Sequence, residues 1–295
     1  MSENRSHPDP TPSLYLPAPP SRALEATRDR AEPLVIDCNT ALGEGVTWEP
    51  KTRAVNYDPA ALLRYSAEAG IQRSCVAPAR NKLYREKNKE LAQLCEKYPE
   101  KFIGFAAHNP QAETGTLRQM LIEEVKSMGL KGLRTDGHPT REALDTAAEL
   151  DIPVMYYPVL GVRDPSGGPW STGPQVYTGP ARAYYIMAKT YPSVNFILPH
   201  LGSYRSSEWL AHIEAIELAK RFPNVYVETS GVLSHKYLEM AVRELPIEKI
   251  VFGSNAPEED PRVEMYAVEL LGLTRKQQTA VLGGNLRRLL PPLAA

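Results

Sequence analysis

Eight short apolar segments separated by amphipathic stretches constrain the fold more than any other feature of this chain. The segments are apolar at nearly every position, which is typical of parallel strands that helices cover on both faces. They lie at 34–39, 71–78, 102–107, 130–135, 152–157, 194–200, 225–230 and 247–254. Each is followed by residues with the apolar spacing of a helix. The pattern predicts eight units of a strand followed by a helix.

Local signals place two of the helix ends. Asp58-Pro59 supplies an N-cap and a first-turn proline. Thr274 and Gln277 have the S/T-x-x-Q spacing of a capping box at the start of the last helix. We expect that helix to continue to Leu282 and to end at Gly283-Gly284.

Eight such units in about 260 residues predict a single (β/α)₈ TIM-type barrel over residues 34–295. A doubly wound open sheet is the alternative, but no strand is followed by G-x-G-x-x-G or G-x-x-x-x-G-K-[ST]. Residues 1–33 contain seven prolines and few aliphatic side chains. Such a segment cannot bury enough apolar surface to offset chain entropy, so we predict a disordered, proline-rich N-terminal tail.

Charge and composition exclude several classes of partner. The 34 Lys and Arg residues balance 35 Asp and Glu residues, so the chain has no basic field for nucleic acid. No apolar run approaches the ~20 residues of a membrane span, and the N-terminus lacks a secretory signal. Cys38, Cys75 and Cys95 have no C-x-x-C spacing, which argues against a cysteine metal site. We therefore expect a cytoplasmic protein that binds a small molecule, not nucleic acid or a membrane.

The chemistry of such a barrel lies at the C-terminal ends of its strands, where polar residues interrupt the apolar segments. Six of these residues form the candidate site: His200, Glu228, Asn39, Arg134, Tyr157 and Asn255. We predict that His200 and Glu228 are catalytic, with His200 as general acid/base. The other four are predicted to bind substrate, with Arg134 holding a carboxylate in a two-pronged contact.

Several motifs together resemble a known family. They include IDCNTALG at 36–43, IPVMYYP at 152–158, FILPHLG at 196–202, FPNVYVETSG at 222–231 and IVFGSNAP at 250–257. In their order and spacing they look like the amidohydrolase-related branch of the amidohydrolase superfamily. That branch includes aminocarboxymuconate-semialdehyde decarboxylase, hydroxybenzoate decarboxylases and assorted hydrolases. The resemblance covers about residues 34–290 and implies a barrel enzyme, with a homodimer as one assembly state.

The resemblance also implies a divalent metal, usually zinc, held by I-D-x-H-x-H, a fifth-strand histidine and the aspartate of G-S-D. This sequence has Asn39, Ala41, Tyr157 and Asn255 at those positions, and only His200, which is not a metal ligand in the family, remains. A neutral amide, a methyl group and a phenol are poor zinc ligands at pH 7. We therefore expect that the ancestral zinc site is lost and that the protein has no cofactor.

Two functional interpretations remain open at this point. The first is a metal-independent hydrolase or decarboxylase that acts on a small carboxylated substrate through His200. The second is a catalytically inactive barrel that serves as a binding or scaffold subunit. An open mouth on which His200 and Arg134 converge favours the enzyme, whereas a filled mouth favours the scaffold.

Three further expectations concern individual segments. The insertion at 161–180 is long enough to be a lid over the mouth or a subunit contact. His108 lies in a turn-like HNP sequence and has no predicted role. Strand alternation predicts that Cys38 faces the helices if Asn39 faces the mouth.

Overall fold

All eight predicted strands are present in the computed structural model, which describes residues 34–46, 53–110, 112–157, 180–204 and 209–293. One short additional strand follows the first. The strands are β1 (Ile36–Val46), β2 (Ala54–Tyr57), β3 (Arg73–Pro78), β4 (Phe102–His108), β5 (Gly132–Asp136), β6 (Val154–Tyr157), β7 (Phe196–Leu198), β8 (Val225–Glu228) and β9 (Ile250–Val251). The predicted tail at 1–33 and nearly all of the 161–180 insertion lie outside the described residues, so both expectations stay predictions.

The sheet has the order β2-β1-β3-β4-β5-β6-β7-β8-β9, and every pair from β1–β3 onward is parallel. The two ends of the parallel sheet also meet. The Cys38 amide donates to the Phe252 carbonyl at 3.0 Å, and the Ala41 amide donates to the Ala256 carbonyl at 2.9 Å. These bonds join β1 to the segment at and after β9. The predicted TIM-type barrel is therefore confirmed, and the open sheet is excluded.

Helices alternate with the parallel strands as the sequence predicted. They are α1 (Pro59–Glu68), α2 (Arg85–Lys97), α3 (Leu117–Lys126), α4 (Arg141–Leu150), α5 (Pro180–Thr190), α6 (Trp209–Arg221), α7 (Lys236–Glu244), α8 (Pro261–Glu269), α9 (Arg275–Thr279) and α10 (Asn285–Leu289). Asp58 caps α1 by accepting from two backbone amides, and Thr274 and Gln277 form the predicted capping box at α9. Among the described helices, none is long and apolar enough to span a membrane.

The predicted end of the last helix at Gly283-Gly284 is wrong. Residues Ala280–Gly284 continue as one wider turn that leads directly into α10. A Cβ atom at Gly283 would lie closer than 3.0 Å to the carbonyl oxygen of Leu34. Gly283 is therefore needed for the close approach of this turn to the start of β1, and not as a helix stop.

The interior of the barrel contains apolar side chains from most of the strands, and Leu286 of α10 packs against the same cluster. Cys38 belongs to this interior cluster, together with Cys75 and Tyr157, so the expectation that it faces the helices is wrong. The register of β1 against β3 shifts between Asp37 and Thr40. This bulge breaks the alternation of side chains on which the expectation depended.

β2 was not predicted. Its four residues, Ala54–Tyr57, pair antiparallel with the outer half of β1 and alternate between exposed and half-buried. A strand this short leaves little periodicity in the sequence. The β1–β2 hairpin stands at the C-terminal end of the barrel, where β1 extends beyond its parallel pairing with β3.

Candidate active site

The strand ends bring the four predicted substrate-binding residues together. Asn39, Arg134, Tyr157 and Asn255 line one cavity of about 10 Å³. That volume has room for about one water molecule. The two predicted catalytic residues contact this group, because Glu228 accepts a hydrogen bond from Asn39 at 3.2 Å and the His200 ring packs against the Tyr157 ring.

His200 directly follows β7 and Pro199, and its backbone is held in the left-handed region at φ 58°. A residue other than glycine rarely adopts this conformation, which is concentrated at functional sites. The imidazole lies 5.5 Å from the Tyr157 ring and 4.7 Å from the Tyr204 ring, measured between centroids. Burial lowers the pKa of His200 to about 4, so the imidazole is neutral at pH 7.

Four donors surround the fully buried carboxyl group of Glu228. Its Oε2 atom accepts from the His200 amide at 2.9 Å, from Ser230 Oγ at 3.0 Å and from Asn39 Nδ2 at 3.2 Å. Its Oε1 atom accepts from the Ser230 amide. Burial raises the pKa of Glu228, while these donors act to lower it. The arrangement favours a positioning role for Glu228 over the direct catalytic role that the sequence predicted.

Asn39 joins three strand ends through its side-chain amide. Its nitrogen donates to Glu228 at 3.2 Å and to Ser230 Oγ at 3.4 Å, whereas its oxygen accepts from the Tyr157 hydroxyl. Burial raises the pKa of Tyr157 well above its usual value, so this side chain is a neutral phenol. Both ends of the Asn39 amide are therefore used within the protein.

Arg134 and Asp136 form a buried pair at the end of β5. Their Nε and Oδ1 atoms are 3.8 Å apart, too far for a hydrogen bond, and neither atom has a hydrogen-bond partner within the described residues. Arg134 donates through Nη2 to the Pro78 carbonyl and lies 5.8 Å from the centroid of the Tyr157 ring. Burial raises the pKa of Asp136 to about 7. Arg134 and Asp136 are therefore a buried pair and not an exposed one at the rim of the barrel.

Asp37, Asn255 and Ser230 support this group, and two of them, Asp37 and Ser230, lie outside the six predicted site residues. Asp37 accepts from the Asn39 amide at 3.0 Å and from the Ser254 amide at 2.9 Å, so it ties β1 to the segment after β9. Asn255 has a left-handed backbone at φ 58°. Ser230 contacts both His200 and Glu228. The available signal was position, since each of these residues lies in or directly after a predicted strand.

Gly231 provides a test of how closely this group is packed. An added Cβ atom there would lie closer than 3.0 Å to the Tyr204 ring and 3.2 Å from His200 Nδ1. We expect Gly231→Ala to lower the free energy of unfolding by about 1–3 kcal/mol more than Gly272→Ala, because overpacking is added to backbone strain. Urea denaturation of both variants measures the difference.

Gly272 is a matched control for that measurement. Its φ of +63° is nearly the same as the +64° of Gly231, but nothing lies within 4 Å of an added Cβ atom. The two substitutions therefore share the cost of a left-handed alanine and differ in crowding. Equal losses of stability in the two variants would show that the His200 environment is not closely packed.

Comparison with known proteins gives a consistent family assignment. A family model described as Amidohydrolase matches residues 47–291. The gamma-resorcylate decarboxylase of Rhizobium sp. (strain MTP-10005) is 26% identical to this chain, with 60% of this chain and 66% of that protein covered. The chain thus spans just under two thirds of that relative's length.

Two solved structures illustrate the similarity of fold. The dihydroxybenzoic acid decarboxylase of Polaromonas sp. JS666, with bound manganese and 2-nitroresorcinol, has a TM-score of 0.62 at 18% identity, covering 88% of this chain and 97% of that one. The second structure is the 5-carboxyvanillate decarboxylase of Novosphingobium aromaticivorans, complexed with manganese and 4-hydroxy-3-methoxy-5-nitrobenzoic acid. It has a TM-score of 0.66 at 16% identity, and the match covers 87% of this chain and 95% of that one. At these identities the similarity shows the fold alone.

The bound manganese in these two structures contradicts the expectation that the protein has no cofactor. Proteins of the same fold carry a divalent cation, which points to a metal cofactor instead of none. The replaced ligand positions of this chain do not by themselves exclude a metal.

The described side chains at those positions do not fit manganese, which prefers carboxylate, imidazole and water ligands. Both ends of the Asn39 amide are bonded within the protein, Ala41 has no donor atom, and Tyr157 is a buried neutral phenol. Among the described residues, no group of three or more His, Cys, Asp or Glu side chains could hold a metal ion. The chemical steps proposed for this protein are therefore assigned to its own side chains and not to a metal ion.

The match over most of the chain, the eight-stranded barrel and the polar group at its strand ends agree with one another, and they identify this chain as a member of the amidohydrolase family.

Proposed function

We propose that this protein is a carbon–carbon lyase that decarboxylates an aromatic acid with a ring hydroxyl next to its carboxylate. The observation that carries the proposal is the buried, neutral His200, held at a strand end in a left-handed conformation beside Ser230 and Tyr157. The relatives support the substrate class, because the named substrates are gamma-resorcylate, dihydroxybenzoate and 5-carboxyvanillate.

The proposed reaction uses His200 as a proton shuttle. The neutral imidazole takes the proton of the ring hydroxyl, and the phenolate pushes electron density into the ring. The imidazolium then gives its proton to the ring carbon that bears the carboxylate. The bond to the carboxylate breaks, its electron pair returns to the ring, and CO₂ leaves. A proton from solvent restores the product hydroxyl, so the reaction consumes one proton overall.

Arg134 is the proposed partner of the substrate carboxylate. Its Nε–H is buried and has no hydrogen-bond partner within the described residues, which is costly unless a ligand accepts the bond. Asn39, Tyr157 and Asn255 line the same cavity and are proposed to contact the substrate. Burial brings the pKa of Asp136 to about 7, which reduces its competition for Arg134.

A decarboxylation assay tests the proposal. We expect purified protein, assayed with and without added Mn²⁺, to release CO₂ from 2,6-dihydroxybenzoate or 5-carboxyvanillate. His200→Gln should lower turnover by about 10²-fold under whichever condition supports it, because positioned proton transfer is lost. His235→Gln is the control, since His235 lies at the start of α7 and is partly exposed. Equal turnover in His200→Gln would contradict the role of His200.

One observation favours a second candidate function, the catalytically inactive binding or scaffold subunit. The cavity of about 10 Å³ between the proposed substrate-binding residues is far smaller than the ~300 Å³ at the lower end of small-molecule sites. Calorimetric titration with 2,6-dihydroxybenzoate separates the alternatives. Binding with CO₂ release supports the enzyme, and binding without release supports a binding subunit. The absence of both binding and release supports a scaffold.

The predicted homodimer and the cytoplasmic location stay predictions.

A further inference from the structure

Ser230 is a buried side chain for which the predicted site has no role. It lies two residues after Glu228, directly beyond β8, and is fully buried. Its hydroxyl oxygen is 3.0 Å from Glu228 Oε2, 3.0 Å from His200 Nδ1 and 3.4 Å from Asn39 Nδ2. Three polar contacts on one buried hydroxyl restrict where each proton can be.

The hydrogen-bonding capacity of the serine hydroxyl decides the directions of these contacts. A hydroxyl has one proton to donate and two lone pairs that accept. Glu228 accepts hydrogen bonds from three other donors, which are the His200 amide, the Ser230 amide and Asn39 Nδ2. Its carboxylate therefore also accepts the hydrogen bond that the Ser230 hydroxyl donates. The two lone pairs of Oγ then accept from Asn39 Nδ2 and from His200 Nδ1. Every donor and acceptor of the hydroxyl is used.

The backbone of Ser230 supports the same assignment. Its carbonyl oxygen is 3.2 Å from His200 Nδ1, and a carbonyl can only accept. A bare lone pair on Nδ1 would face this oxygen and be repelled. Nδ1 therefore carries the proton of the neutral imidazole, and Nε2 carries the lone pair.

We propose that Ser230 is a positioning residue, which connects His200 Nδ1–H to the carboxylate of Glu228 and keeps Nε2 as the basic nitrogen. The inference rests on the proposed function for its catalytic meaning. The chain of contacts runs from Nδ1–H to Oγ and from Oγ–H to Oε2. When Nε2 accepts a proton, the positive imidazolium is bonded through Ser230 to a carboxylate, which stabilises the charge.

Histidine NMR on the free protein tests the positioning without any substrate. With ¹⁵N-labelled histidine, the two-bond proton–nitrogen correlations distinguish the tautomers, and His200→Gln assigns the signal. We expect wild-type His200 at pH 7 to be protonated on Nδ1 alone. In Ser230→Ala the two nitrogen shifts should move toward each other, because the ring samples both tautomers, whereas Ser230→Thr, which keeps a hydroxyl, should resemble wild type.

Ser203 offers a matched control for this experiment. It is a buried serine whose amide donates to the His200 carbonyl at 3.0 Å, and its hydroxyl has no hydrogen-bond partner within the described residues. Ser203→Ala should leave the His200 shifts unchanged. Protonation of His200 on Nε2 in the wild type would overturn the inference. Unchanged His200 shifts in Ser230→Ala would also overturn it, because the Ser230 carbonyl alone would then hold the tautomer of the ring.

Kinetics provide the second readout and separate this inference from the proposed function. With a substrate that wild type turns over, we expect Ser230→Ala to lower kcat about 10–100-fold with little change in KM, since a misplaced catalytic group loses rate and not binding. The expected NMR shifts together with no turnover of any aromatic acid would refute the proposed function alone. Turnover together with unchanged tautomers would refute the role of Ser230 alone.

Discussion

Replacing Glu228 with leucine should lower the free energy of unfolding by about 3–5 kcal/mol, the usual cost of removing one partner from a buried polar network. The carboxylate accepts from the amides of His200 and Ser230, from Ser230 Oγ and from Asn39 Nδ2. Without it, these buried donors have no acceptor, and each unsatisfied group costs about 1–3 kcal/mol. Urea denaturation measures the loss.

Two further variants serve as controls for the Glu228→Leu measurement. Glu228→Gln keeps one acceptor oxygen and should lose less stability than Glu228→Leu. Glu239→Leu removes a carboxylate from α7 that is 60% exposed, and should change the free energy of unfolding by less than about 0.5 kcal/mol. A loss of less than about 1 kcal/mol in the free energy of unfolding of Glu228→Leu would mean that water molecules replace the carboxylate as hydrogen-bond acceptors.

The second large effect is a loss of stability in alkali that depends on His108. This side chain is fully buried between Glu113 and Glu124, with its ring nitrogens 3.0 and 2.7 Å from their carboxylates. Burial by itself would lower the pKa of His108, but hydrogen bonds to the two carboxylates raise it from 6.5 to about 9. His108 is the last residue of β4, so the turn-like HNP sequence did not indicate this ionic environment.

The sign of the effect follows from proton linkage. Because the folded pKa of His108 exceeds the unfolded value, its stabilising contribution is fully present below pH 6.5 and is lost as the pH rises through 9. The contribution is on the order of 3 kcal/mol. We expect His108→Gln to be less stable than wild type at pH 6, with the difference shrinking by about that amount at pH 10.

Urea unfolding at several pH values from 6 to 10 measures this difference. Comparing the two proteins isolates His108, because Lys249 and Glu264, whose pKa values burial moves to about 8, are present in both. A difference between wild type and His108→Gln that stays constant with pH would show that His108 is neutral in the folded protein.

Much of the barrel was predictable because its signals are local. Strands buried on both faces need apolar residues at every position, and Asp58 and Thr274 cap helices through atoms within three residues of themselves. The errors also have local causes. The bulge between Asp37 and Thr40 leaves no mark in composition, and Gly283 is read as a helix stop unless the nearby Leu34 carbonyl is known.

The candidate site was predicted as a set of positions and not as a set of contacts. Because the C-terminal ends of parallel strands meet at one edge of a barrel, the sequence placed Asn39, Arg134, Tyr157 and Asn255 together, and they share one cavity. It could not show that Ser230 joins His200 to Glu228 or that Glu113 and Glu124 enclose His108. The expectation of no cofactor failed because single ligand positions do not determine what a fold binds.

By itself, then, the sequence determined the order of the elements, the closed parallel barrel and the edge at which polar residues collect, since these follow from hydrophobic periodicity along the chain. Only the tertiary structure decided which nitrogen of His200 is basic, how much room the mouth has and which carboxyl groups are neutral near pH 7. Those properties depend on burial and on distances between residues up to 217 positions apart, such as Asp37 and Ser254. No local pattern encodes such distances.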